Sequence, residues 1–138
     1  MFVTLDSSVI IAALRRQEEK HSQCRLLLEK VKDAQYTSIQ PYTVLVEVAA
    51  AIKRRTNSES LAIEVKNLLQ SMDTMNFVEL GTLRADSAAE VAAKTGLRGM
   101  DAVVVQVAQE FDATLVTLDL EMIDKAEHIV NVRGAEEF

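Results

Sequence analysis

Asp6 and Asp119 end the same four residues, VTLD, which occur at Val3–Asp6 and again at Val116–Asp119. Each copy is an apolar, β-branched run that closes on a carboxylate and leads into a stretch of helical character. An aspartate so placed can cap the helix behind it, because its oxygens accept orphan backbone N–H groups and favour the positive end of the helix dipole. It can also do chemistry, since ligands of open α/β sheets bind in the crevice beyond the carboxyl ends of the strands. Taken alone, each aspartate reads first as a cap, although Ser7 and Ser8 could cap in place of Asp6.

Asp101 fits a purely structural reading less well. It opens MDAVVVQVAQ, a helix that is apolar almost all round and therefore buried, so its carboxylate lies near the core. A poorly solvated charge needs a donor network or a metal ion, and Gly96 and Gly99 permit a sharp approach to that turn. Glu47 sits in TVLVEVAAAIKRR at the edge of an apolar face formed by Val44, Leu45, Val48, Ala49 and Ile52. Its helical neighbours Thr43, Val44, Ala50 and Ala51 carry no charge, whereas Glu29 has Arg25 and Lys32 within reach. A surface glutamate and a ligand-facing carboxylate both fit that setting. Gathered at one sheet edge, the four acids would raise one another's pKa values or require a counter-cation, and hard oxygen ligands suit Mg2+ or Mn2+. The expectation is an acidic pocket for one or two divalent ions.

Bringing such distant acids together requires a sheet whose strands are not neighbours in sequence. The 138 residues suffice for a single domain spanning 1–138. Short β-branched runs alternate with helical stretches, the pattern of an α/β domain in three α/β/α layers around a mostly parallel sheet of four or five strands. Strands are expected at Phe2–Leu5, Gln35–Ser38, Phe77–Glu79, Thr114–Thr117 and Ile129–Val132. Helices are expected at Ser8–Arg16, Lys20–Lys32, Tyr42–Arg55, Glu59–Met72, Leu83–Thr95 and Asp101–Glu110, with a short one after Asp119. Pro41 suits a first helical turn. Leu61, Val65, Leu68, Leu69 and Met72 form a core-facing stripe. Both copies of VTLD then fall on adjacent central strands.

Composition narrows the class. With 49% hydrophobic and 26% charged residues and no apolar run long enough for a bilayer, membrane insertion is not expected. The first residues carry no export pattern, so the cytoplasm is the expected location. Cys24 is the only cysteine, which leaves no disulfide pair; it reads as a buried thiol beside Leu27, Leu28 and Val31. The net charge of −6 argues against a surface that grips nucleic acid all over, while a local basic strip remains compatible with it.

These residues, in this order, resemble the PIN-domain ribonucleases, a family that includes the VapC-type toxins of toxin–antitoxin pairs. The likeness covers nearly the whole chain. VTLDSSVIIAAL is similar to the family's opening strand, aspartate, hydroxyl and helix; PYTVLVEVAAAI to its proline and helix glutamate; LRGMDAVVVQVAQEFDATLVTLD to its buried helix and Thr-x-Asp strand end. By resemblance, Asp6, Glu47, Asp101 and Asp119 form a catalytic, metal-holding quartet, with Ser7 and Thr117 as supporting hydroxyls and Asp124 as a candidate outer ligand. The resemblance implies Mg2+- or Mn2+-dependent hydrolysis of RNA phosphodiesters, a homodimer and a small antitoxin partner.

Candidate RNA contacts are Lys53, Arg54, Arg55 and Arg98, with Arg15 and Arg16. Basic residues at a helix C-terminus also complement the dipole without any ligand. Six aromatic residues and no Trp give no sign of a base-stacking platform. Two other classes fit parts of the pattern: a noncatalytic RNA- or protein-binding module of the same fold, and a phosphoacceptor receiver domain.

Overall fold

A computed structural model describes residues 1–138. Five parallel strands form one sheet in the order β3-β2-β1-β4-β5, where β1 is Phe2–Leu5, β2 Thr37–Pro41, β3 Met75–Val78, β4 Thr114–Val116 and β5 Val132–Arg133. The seven α-helices are α1 (Ser7–Leu14), α2 (His21–Lys32), α3 (Tyr42–Thr56), α4 (Glu59–Ser71), α5 (Thr82–Thr95), α6 (Gly99–Glu110) and α7 (Leu120–Ala126). Helices α1 to α4 pack on one another, α5 packs on α6, and α6 also lies along β1, β2 and β4. This is the expected α/β architecture, with the sheet in the middle. No helix is long and apolar enough to cross a membrane.

The sheet order follows from hydrophobicity. Val3 to Leu5 and all of β4 are buried, as strands covered on both faces must be, and these two strands pair in the centre. Their register sets Leu5 opposite Val116, and the Asp6 N–H donates to the Val116 carbonyl at 3.0 Å. Asp6 and Thr117 therefore leave the sheet side by side.

Helix α6 explains why Asp101 cannot be an ordinary surface acid. Every residue from Ala102 to Ala108 is buried between the sheet and α5, while the first turn, through Arg98, brings Asp101 beside Asp119. Gly96, with φ +73°, closes α5 in the left-handed region that glycine favours, and the short loop to Arg98 then starts α6.

Some expected boundaries moved for identifiable reasons. β2 starts at Thr37 because Gln35 is used to end α2: its N–H donates to the Lys30 carbonyl while Ala34, at φ 63°, donates to Val31. That pair of bonds is the Schellman closure. Asp112 (φ 49°) and Ala113 end α6 in the same way, so β4 starts at Thr114; it stops at Val116, before Thr117. Pro41 is the last residue of β2 and the N-cap of α3, outside the first helical turn. Ile129 and Val130 return their N–H groups to Ala126, which delays β5 to Val132. In α4 the buried stripe is Ala62, Val65 and Leu69; Leu61 and Leu68 are 38% and 49% exposed, because the small Ala62 side chain faces the core.

Candidate active site

Asp6 anchors the site. Its residue is only 5% exposed, at the joined ends of β1 and β4. Its backbone occupies the N-cap position of α1, yet its side chain makes no capping bond. The carboxylate Oδ2 instead accepts hydrogen bonds from Ser8 Oγ at 2.8 Å and Thr117 Oγ1 at 2.9 Å, and neither bond uses Oδ1. The same hydroxyls are held in turn, since Leu118 N–H donates to Ser8 Oγ and Asp119 N–H to Thr117 Oγ1, both at 3.1 Å. This chain of bonds fixes the carboxylate's rotation and ties the start of α1 to the loop after β4.

Sequence reasoning named Ser7 as the supporting hydroxyl, but Ser8 fills that role; Ser7 lines a groove between α1 and α3. The serine pair after Asp6 carries the signal that one hydroxyl returns to it. Asp119 differs from Asp6. Its Oδ1 caps α7, accepting from Glu121 N–H at 3.0 Å and Met122 N–H at 3.2 Å, while Oδ2 lies 3.7 Å from Arg98 Nη2.

Glu47 and Asp101 complete the acidic set through space. Burial is the first cause that lifts the Glu47 carboxyl above its ordinary range; the charges of Asp6 and Asp101 lift it further, and Arg98 works in the opposite direction. Asp101 is raised in the same way, first by burial, then by Asp6 and Asp119, with Arg98 again opposing. Glu47 therefore feels the charges of Asp6 and Asp101, and Asp101 those of Asp6, Asp119 and also Glu121. As the side chains lie, no three carboxylate, imidazole or thiol groups stand close enough to enclose a metal ion. The donor set still fits a hard divalent cation by type and charge, because it is all oxygen, mutually repelling and partly desolvated. Asp124 does not join it. It lines a separate surface pocket with Lys94, Lys125 and His128.

The basic candidates divide by partner. Arg98 Nε lies 3.6 Å from Asp101 Oδ2, so this arginine faces the acids. Arg55 Nη1 donates to Glu18 Oε1 at 2.7 Å, Arg15 also turns to Glu18, and Lys53 Nζ donates to Asn57 Oδ1 at 3.1 Å. Arg54 is exposed, and it lines the α1–α3 groove of about 330 Å3 together with Ser7, Ile11, Glu47, Ala50 and Arg55. The groove thus carries a carboxylate of the site and two arginines.

A PIN domain family model matches residues 3–128. The chain belongs to the PIN domain family. This membership replaces the phosphoacceptor reading. Solved structures of the same fold align with nearly all of the chain. VapC20 of Mycobacterium tuberculosis, described as a toxin that cleaves the sarcin–ricin loop, aligns with a TM-score of 0.76 and 17% identity over 95% of this chain and 98% of that one. FitAcB from Neisseria gonorrhoeae aligns at 0.71 and 17% identity over all of both chains. VapBC2 from Rickettsia felis, solved with a DNA fragment from its promoter, aligns at 0.70 and 14% identity over 97% and 98%. No curated protein matches this PIN domain by sequence.

Proposed function

We propose that this PIN domain, across residues 1–138, is a divalent-metal-dependent endoribonuclease acting on RNA phosphodiester bonds. The observation that carries the reading is the buried Asp6 carboxylate, oriented by Ser8 and Thr117 and coupled by charge to Glu47 and Asp101. Asp6 and Asp101 are the direct ligands for Mg2+ or Mn2+, with Glu47 and Asp119 completing the set. Bound there, one or two such ions supply positive charge to the scissile phosphate and lower the pKa of a water.

The chain's own residues divide the remaining work. Ser8 and Thr117 hold Asp6 Oδ2 and leave Oδ1 to the site. Glu47, short of counter-charge, is suited to orient or deprotonate the attacking water. Arg54 and Arg55, with Lys53 behind them, attract the RNA backbone along the α1–α3 groove through contacts that carry no base information. By extension from the toxin–antitoxin assemblies that share its fold, the protein acts as a homodimeric toxin in the cytoplasm, restrained by a small antitoxin protein.

A noncatalytic RNA- or protein-binding role is the second reading, favoured by Arg98 lying against Asp101 and Asp119. Incubation with single-stranded RNA separates the two. Cleavage that requires Mn2+ or Mg2+ and disappears in Asp6→Asn and Asp101→Asn supports the nuclease. RNA binding without turnover in any divalent ion supports the module.

A further inference from the structure

We infer that Arg98 is the resident counter-ion of the acidic site: its guanidinium stands between Asp101 and Asp119 and is displaced when a divalent cation binds. This rests on the reading of the acids as a metal site. Arg98 is the only basic side chain in ion-pair contact with any of the four acids. It reaches Asp101 with Nε at 3.6 Å and Asp119 with Nη2 at 3.7 Å. Both separations exceed a hydrogen bond, so charge alone holds the guanidinium there.

Its exposure favours exchange. The Arg98 side chain is 78% exposed, against 20% for Asp101 and 30% for Asp119, so it lies across the mouth while the acids sit deeper. It keeps most of its water and loses little on leaving. The backbone beneath it is fixed: Leu97 is buried, Lys125 Nζ donates to the Gly96 carbonyl, and Arg98 is the N-cap of α6. The side chain can therefore swing without moving the helix that carries Asp101. A guanidinium cannot shed its proton at accessible pH, so a competing cation is what removes it. A divalent ion brings twice the charge and accepts carboxylate oxygens as direct ligands.

Calorimetric titration of Mn2+ into the chelator-stripped full chain tests this directly. Arg98→Ala is expected to bind Mn2+ about 2- to 5-fold more tightly than the unaltered protein, the range that an exposed pair of charges supports. Arg98→Lys is expected to fall between the two, and Arg98→Gln, which keeps length and loses charge, to match alanine. Without metal, Arg98→Ala is expected to melt at a lower temperature than the unaltered protein, and saturating Mn2+ is expected to close that gap. Equal or weaker Mn2+ binding by Arg98→Ala, beside clear binding by the unaltered protein, would overturn the counter-ion role and leave the metal site standing. A melting gap that persists at saturating Mn2+ would also overturn it, by showing a structural role. No Mn2+ binding by the unaltered protein, or binding that survives Asp6→Asn, would instead remove the metal site itself.

Discussion

Thr117 holds two strand ends together through one hydroxyl, which donates to Asp6 and accepts from Asp119 N–H. Thr117→Val keeps the shape and removes one of the two hydroxyl donors to the buried carboxylate together with the acceptor for Asp119 N–H, so we expect a loss of about 1–3 kcal/mol in urea unfolding. Ser8→Ala should fall near the lower end of that range, and Ser7→Ala near zero. The charges of Glu47 and Asp101 predict a pH dependence. Burial first, then neighbouring carboxylates, raise both pKa values in the folded chain above the ordinary 4.5 and 3.8. Such groups bind protons more tightly when folded, so their contribution to stability is full below the ordinary values and is lost as pH rises through the folded ones. The melting temperature of the metal-free protein should therefore fall as pH rises from those ordinary values through the raised ones and then level off, and Glu47→Gln should flatten that fall and raise the neutral-pH melting temperature. The family resemblance pointed to Thr117, which does bond Asp6, and to Ser7, where the structure has Ser8 instead. Which serine returns to Asp6 depends on the first turn of α1, and residue order leaves that open.

The short helix α7 depends on Asp119 more than its length suggests, because the Asp119 carboxylate satisfies two of its first N–H groups. Asp119→Ala is expected to cost about 0.5–2 kcal/mol, whereas Asp119→Ser should keep most of the cap. If Asp119 also serves the ion, both variants should bind Mn2+ less tightly, which separates charge from capping. Strands and helices were readable where burial imposed an apolar pattern, as in the run of α6 from Ala102 to Ala108, which only Gln106 interrupts. Their ends were less so. Ala34 and Asp112 close α2 and α6 in the left-handed region without the glycine that normally signals it. Leucines advertise a core stripe more strongly than alanine does, so the pattern of α4 points Leu61 and Leu68 inward, whereas Ala62 is the residue that faces the core.

At the scale of the whole molecule, β1 and β4 do pair as the repeat of VTLD suggests, but only Val116 of the second copy lies in β4, opposite Leu5, and Thr117 to Asp119 form the loop that leads into α7. How closely the acids approach was hidden, because long side chains and Arg98 decide it after the backbone is set. Cys24 behaves as its apolar neighbours imply: burial is the main cause that pushes its thiol up to about 11. Alkylation of the native chain at neutral pH should accordingly be slow and should accelerate on unfolding. In the proposed site, Asp6, Glu47, Asp101 and Asp119 serve one cation. The most direct measurement is anomalous scattering from crystals grown with Mn2+. A peak is expected within about 2.0–2.6 Å of carboxylate oxygens of Asp6 and Asp101. A fully loaded crystal with no peak there, or with Mn2+ held only by other residues, would contradict it.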